Sequence, residues 1–301
     1  MAKLIEMPTT PNFTRSNFRL VRTVGAVASP YTGKIRTQEF DGVFWECDVT
    51  LPPMRRSVAK NWQSFLMELN GPVNNFRFTD PDAKVKQGTY NGTSLVAETR
   101  VNETNITLSF TASTNTIASA SNTTPFTNTL VGDHIVVSGS AKPENNGTHR
   151  VASKTNAYTI TVVPVDHNSL VDESNKASCK IRDNIKGAKG INLKSTGNSG
   201  SGTILKGDYI GLSGSTTTDE SGYIPTQLLL ATADGTETNN GGRAKNQYSV
   251  RTEPKLRQDL STNKVYHNTA RGLFRLQGNT IEWDADAISN YGISFACTEV
   301  I

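Results

Sequence analysis

The chain is poor in most of what marks a chemical function. Its three cysteines, Cys47, Cys179 and Cys297, lie far apart, which excludes a CxxC redox pair and any zinc cluster drawn from local spacing. The four histidines, His134, His149, His167 and His267, show no metal-binding spacing such as HExxH. A GxSxG nucleophile elbow is missing, because Gly197 to Gly202 has the wrong spacing and sits in a linker-like stretch. So is a phosphate-cradling loop, since Gly33-Lys34 lacks both the upstream glycine and a following Ser or Thr. Lys plus Arg 31 against Asp plus Glu 27 gives a net charge of only +4 with no basic run, which argues against a dedicated nucleic-acid binder. The longest apolar runs, Thr161 to Val165 and Leu228 to Ala231, fall far short of the ~18 residues of a membrane span. Met1 to Pro11 has no apolar core or small-residue cleavage site, so synthesis in a cytoplasm without export is expected.

What the chain has in quantity is Thr, Ser and Asn, together about 30% of its 301 residues, a turn-prone bias that suits many short strands. Val43, Trp45, Cys47, Val49 and Leu51 alternate with Phe44, Glu46, Asp48 and Thr50, the two-residue period of a half-buried strand. Pro52-Pro53 stops it, because a ring nitrogen cannot donate to the ladder, and stands where a helix can begin. Val58, Trp62, Phe65, Leu66 and Leu69 then recur on one helical face opposite Arg55, Arg56, Lys60, Asn61 and Gln63. Asn70-Gly71-Pro72 ends that helix, which is expected to lie as a lid on a sheet. Short amphipathic strands at Phe18-Arg19-Leu20 and Phe274-Arg275-Leu276 suggest that both ends of the chain build one sheet system.

Between residues 104 and 181 short strand-like runs alternate with turns, as at Gly132-Asp133 and Asn145-Asn146-Gly147, describing a small all-β unit inserted over residues 100–183. Residues 1–99 and 184–301 would then form one split domain. Lys186 to Thr203 reads as a flexible connector and Glu237 to Lys245 as a polar loop. One echo stands out. Gly132-Asp133-His134-Ile135 followed by Ser138-Gly139-Ser140 returns as Gly207-Asp208-Tyr209-Ile210 followed by Ser213-Gly214-Ser215, for which a twice-used Gly-Asp turn is the economical explanation.

Chemistry is hard to place. Asp80-Pro81-Asp82 reads as a turn, and Glu46, Asp48, Asp284 and Asp286 offer carboxylates with nothing to rank them as an acid/base pair. The Asn-x-Thr triplets at Asn91, Asn102, Asn105, Asn122 and Asn146 are what an Asn- and Thr-rich chain generates by chance. The three cysteines read as small core hydrophobes, and no catalytic residue, metal or cofactor is expected.

Two stretches carry a resemblance. Trp45-Glu46-Cys47-Asp48-Val49-Thr50-Leu51-Pro52-Pro53-Met54, with Ala59, Trp62, Phe65-Leu66, Leu69 to Pro72, Phe76 and Asp80-Pro81, is similar to the N-terminal half of distal tail proteins of tailed bacteriophages, siphophage-like or gene-transfer-agent-like. Arg271 to Leu276, Trp283, Ile288 and Tyr291 to Glu299 resemble the C-terminal strands of the same proteins, and Lys206 to Ile210 with Gln227 to Leu230 is a weaker match.

The resemblance implies a mainly β protein, a tail-tube-like β-sandwich with one flanking α-helix, assembled as a homohexameric ring at the distal end of the virion tail. That ring would join the tail tube protein to the baseplate hub and other tail-tip proteins, without membrane insertion, and DNA would be passing cargo in its channel. Its core would comprise Trp45, Cys47, Val49, Val58, Trp62, Phe65, Leu66, Leu69, Phe274, Leu276 and Phe295. The N-terminal arm through Phe13 and the loop with Ala26, Val27, Tyr31 and Lys34 are expected to touch neighbouring subunits, being extended and polar. A second reading makes the insert a carbohydrate-binding module for host surface glycan, although Phe110, Phe126 and Tyr158 are its only aromatics. A depolymerising enzyme is a third class with still less support.

Overall fold

Alternation and turn chemistry produce twenty-two strands and one α-helix in the computed structural model, which describes residues 2–40, 42–81, 85–91, 95–120, 123–195, 202–214, 224–237 and 247–301. The first elements are Arg15–Val21 (β1), Val24–Ala28 (β2), Ile35–Glu39 (β3), Phe44–Thr50 (β4), Met54–Arg55 (β5), Arg56–Leu69 (α1) and Phe76–Phe78 (β6). Next come Leu95–Ala97 (β7), Asn102–Thr111 (β8), Thr116–Ser119 (β9), His134–Ser138 (β10), Gly147–Asn156 (β11), Thr159–Pro164 (β12) and Glu173–Arg182 (β13). Gly190–Ser195 (β14), Tyr209–Ser213 (β15), Pro225–Ala231 (β16), Thr236–Glu237 (β17), Gln247–Glu253 (β18) and Lys264–Tyr266 (β19) follow. Gly272–Leu276 (β20), Trp283–Ala285 (β21) and Asn290–Glu299 (β22) end the chain. The fold is thus mainly β with one helix.

Two compact units result, one of residues 1–85, 224–228 and 271–301, the other of residues 86–223 and 229–270. In the first, β1, β4, β22, β20 and β6 lie side by side in that order. Val49 is opposite Phe295, Cys47 opposite Cys297, Leu276 opposite Cys297, and Phe76 opposite Phe274. Paired residues share a face, so Val49, Phe295, Cys47, Cys297 and Leu276 line one side of the sheet, and α1 packs on it. Trp62 and Leu69 are fully buried and Phe65 and Leu66 nearly so. Trp62 meets Phe65 edge-on at 5.9 Å and Phe295 at 6.3 Å.

Two of the expected core positions differ. Val58 is half-buried and its place on the buried stripe is taken by Ala59, which is fully covered, because a methyl group lets the helix axis approach the sheet where an isopropyl group would hold it off. Phe295 is half-buried, since its ring reaches the margin of the aromatic cluster. The helix also starts later than the prolines suggest: Met54–Arg55 first pairs with Asn290 and Tyr291 of β22. It ends at Asn70, left-handed at φ 51, whose N–H bonds to the Met67 carbonyl at 3.1 Å.

The second unit holds two closed barrels. The inner one runs β10, β11, β12, β9, β8, β13 and back to β10, around Leu108, Ile117, Phe126, Ile135, Val151, Ile160 and Ile181. The outer one runs β14, β7, β19, β15, β16, β18 and closes through the β14–β18 pairing, around Leu95, Ile191, Leu193, Ile210, Leu212, Leu229, Tyr248 and Val250.

This redraws the sequence-based division. The inserted unit at residues 100–183 coincides with the inner barrel, but most of residues 184–270 build the outer barrel and group with it. Part of the expected connector, Lys186 to Thr203, is a buried strand, β14, paired on both sides. Its first residue is glycine, since a side chain there would overlap the His134 ring, whose Cγ lies 2.3 Å from where a Cβ would stand. Among the described residues no helix is long and apolar enough to cross a membrane.

Candidate interaction surface

In the first unit β2 and β3 form a two-stranded ribbon, paired with no other strand among the described residues. Val24 lies opposite Glu39, Ala26 opposite Thr37, and Val27 opposite Arg36. Ser29-Pro30-Tyr31-Thr32-Gly33 is the turn the sequence demands, with Ser29 N–H bonded to the Lys34 carbonyl and Gly33 N–H to the Ser29 carbonyl, both at 2.9 Å. At its base the Phe40 N–H reaches the Thr23 carbonyl at 2.9 Å, Thr23 Oγ1 donates to the Gly42 carbonyl at 2.8 Å, and Arg22 stands 3.6 Å from Glu39.

The ribbon is held in place but not covered. Tyr31 is 95% exposed, Val27 72% and Ile35 67%, and Val24 and Phe40 are each about half exposed. Ala26 and Lys34 are exposed beside them. A two-stranded ribbon alone is at best marginally stable in water, and side chains of this size clustered on one protrusion are the usual mark of a protein interface. The sequence flagged Ala26, Val27, Tyr31 and Lys34. It missed Val24, Ile35 and Phe40, for which two short β-branched runs flanking a Ser-Pro-Tyr-Thr-Gly turn were the available signal.

Phe13, expected at a subunit contact, is half-buried within its own subunit. Phe13 packs edge-on against Trp62, Phe78 and Phe295 at 5.7, 5.9 and 6.4 Å, and Trp62 donates its indole N–H to the Thr10 carbonyl at 3.0 Å. Upstream, Ile5 N–H bonds to the Asn75 carbonyl at 2.8 Å and Asn75 N–H to the Lys3 carbonyl at 2.9 Å. An aromatic ring next to an incomplete aromatic cluster gains by joining it, so Phe13 adds to its own subunit's core.

The sheet face opposite the helix is polar. Arg19 bonds Glu46 through Nε at 3.0 Å and also pairs with Asp48, while Gln277 donates to Glu46 at 3.2 Å. A cleft of about 410 Å³ on this unit is lined in part by Asp48, Thr50, Ser294 and Glu282, with Leu66 and Phe295. Asp286 serves as a turn anchor, accepting from Asn290 N–H at 2.7 Å and Ile288 N–H at 3.0 Å, and these bonds hold its carboxyl below the usual range. Asp82, Asn122 and Gly197 to Ser201 lie outside the described residues.

Three of the histidines are buried, all in the second unit, and each has one partnered nitrogen: His134 with Ser249 Oγ at 2.8 Å, His149 with the Asn145 carbonyl at 3.0 Å, His267 with Asp208 at 2.9 Å. His167 is exposed. Burial lowers the pKa of all three buried rings, that of His134 to about 3 with Arg150 and Arg251 adding to the effect. Phe110 and Phe126 of the inner barrel belong to its core and Tyr158 is 37% exposed, so two of the three aromatics are out of a sugar's reach. No family model matches the chain, and no curated protein matches it.

Proposed function

We propose that this chain is a structural subunit of a tailed-phage virion, a distal tail protein whose first unit closes into a six-fold ring through the β2–β3 ribbon. The observation that supports the reading best is that ribbon: an ordered hairpin projecting Val27, Tyr31 and Ile35 into solvent, next in the chain to β1, an end strand of the sheet. A closed ring satisfies exposed edges and apolar protrusions on every subunit alike, leaving no open template for aggregation. The helix-free face, with its carboxylates matched by Arg19 and its hydroxyl residues, suits a water-filled channel that lets DNA pass. In this reading the function is geometric. The ring joins the tail tube protein to the hub and tail-tip proteins.

Negative-stain microscopy of the purified chain, alone and with tail-tube protein, tests this. Rings with six-fold class averages and a central hole are expected; particles with no cyclic symmetry under either condition would refute it.

A further inference from the structure

The echo between Leu130 and Leu205 extends to atomic detail. Leu130 to Ser140 and Leu205 to Ser215 are identical at seven of eleven positions. Asp133 N–H bonds to the Leu130 carbonyl at 3.2 Å and Asp208 N–H to the Leu205 carbonyl at 3.1 Å. In return the Leu130 N–H reaches Asp133 Oδ2 at 2.8 Å and the Leu205 N–H reaches Asp208 Oδ2 at 2.9 Å. Gly132 and Gly207 sit at φ 92 and 96, open to glycine and strained for other residues. Each bonds to the following strand, Gly132 to the Val151 carbonyl at 2.8 Å and Gly207 to the Ala231 carbonyl at 2.9 Å. Val151 and Ala231 return N–H bonds to the Asp133 and Asp208 carbonyls, both at 2.8 Å.

A shared turn could be convergent, but the strand circuits also agree. Round the inner barrel they run β10, β11, β12, β9, β8, β13, and round the outer barrel β15, β16, β18, β14, β7, β19. Numbered within each barrel by place in the chain, both circuits read third, fourth, fifth, second, first, sixth. The short β17 is an addition on β18. Six strands admit many circuits, so agreement in circuit and in the same turn before the third strand is hard to reach independently.

We infer that the two barrels are copies of one module, and that the inner copy is inserted into the first hairpin, β7 to β14, of the outer copy. The neck of the insertion is narrow. Asp183 N–H bonds to the Val101 carbonyl at 3.1 Å and Arg100 N–H to Asp183 Oδ2 at 2.8 Å, so the insert enters and leaves through adjacent residues.

Equivalence also explains a buried charge cluster. His267 directly follows the last outer strand and pairs with Asp208, while Asp183 directly follows the last inner strand and stands where that histidine would. The inner Asp133 therefore lacks the side-chain partner that His267 gives Asp208, and Arg100 from the neck supplies one. Arg100 is anchored by Glu98 at 2.8 Å and the Leu193 carbonyl at 3.0 Å, and Asn192 bridges His134 and Asp183. The turn carboxylate that closes a barrel in the outer copy has become the bolt that fastens the inner copy to it.

This inference does not rest on the ring reading, and hydrogen exchange with mass spectrometry on the full chain tests it. The amides of β8 to β13 should exchange through one shared opening that leaves β7 and β14 protected. A chain in which Asn-Gly replaces residues 101–183 should keep the outer-barrel amides within about tenfold of their intact rates. Exchange of β7 and β14 together with β8 to β13, or loss of outer-barrel protection in the shortened chain, would overturn the inference.

Discussion

Cys47 and Cys297 stand directly opposite each other on the adjacent strands β4 and β22 of the first unit, both with no exposed surface. Burial, reinforced by the hydrogen-bonded neighbour Cys47, pushes the Cys297 thiol well above its ordinary range, and burial with the nearby Glu173 raises Cys179. A thiol held neutral and out of water is a poor nucleophile. All three cysteines are buried and should be silent to a thiol reagent in the native protein and react together on denaturation. Reaction of any of them under native conditions would contradict the reading of these residues as packing groups.

Trp62 fills the centre of the helix-sheet interface and ties down the N-terminal arm through Thr10. Trp62→Ala should cost about 3 to 5 kcal/mol, the usual range for deleting a buried large aromatic. Denaturant unfolding of the first unit measures it. A loss below about 1 kcal/mol would mean that the site collapses around the deletion or that the helix packs elsewhere.

The neck cluster makes a pH prediction with a definite sign. Desolvation pushes the Asp133 carboxyl up to about 7 against the pull of Arg100, and Asp183 up to about 6. The native state thus holds protons that the unfolded chain has released between its ordinary carboxylate pKa near 3.8 and about 7. The contribution of Asp133 is therefore complete below that lower value and is lost as pH rises through about 7. Buried His134 works in the opposite sense, costing stability as pH falls from 6.5 towards about 3, so the comparison needs a variant. Asp133→Asn carries no titrating group, and its Tm relative to the parent chain should rise from pH 4.5 to pH 7.5. A difference that falls over the same range would mean that the ionised carboxylate bound to Arg100 is the favoured native form.

The ribbon residues separate folding from assembly. Val27→Asp with Tyr31→Asp alters two side chains that touch solvent in the isolated chain, so Tm should change by no more than a surface substitution does, within about 0.5 kcal/mol of stability. Light scattering should show the assembly lost. An unchanged assembly would remove the ribbon from the subunit interface.

What could be read from the sequence follows from where each element's side chains point. β4 and α1 were legible because each buries one face and exposes the other, which writes a period into the residues. β14 was hidden because its polar positions are inside: Asn192 and Ser195 are buried, and Asn192 is bonded to Asn184, His134 and Asp183. β9 is a four-residue strand within a Thr- and Ser-rich stretch, where hydroxyl residues mark strand and turn alike. The ribbon was legible only as a loop, since a strand pair exposed on both faces has no alternation to display. The packing of Phe13 was illegible for a related reason. Its neighbours Pro11, Asn12 and Thr14 are polar or turn-forming, and the ring's partners Trp62, Phe78 and Phe295 are distant in sequence.

The most direct test of the ring proposal is the mass of the purified chain by light scattering across its soluble concentration range. Six protomers of 32.6 kDa in closed cyclic symmetry give about 200 kDa, and that value, constant with concentration, is the expected result. A mass of 32.6 kDa at every concentration, with and without tail-tube protein, would contradict it.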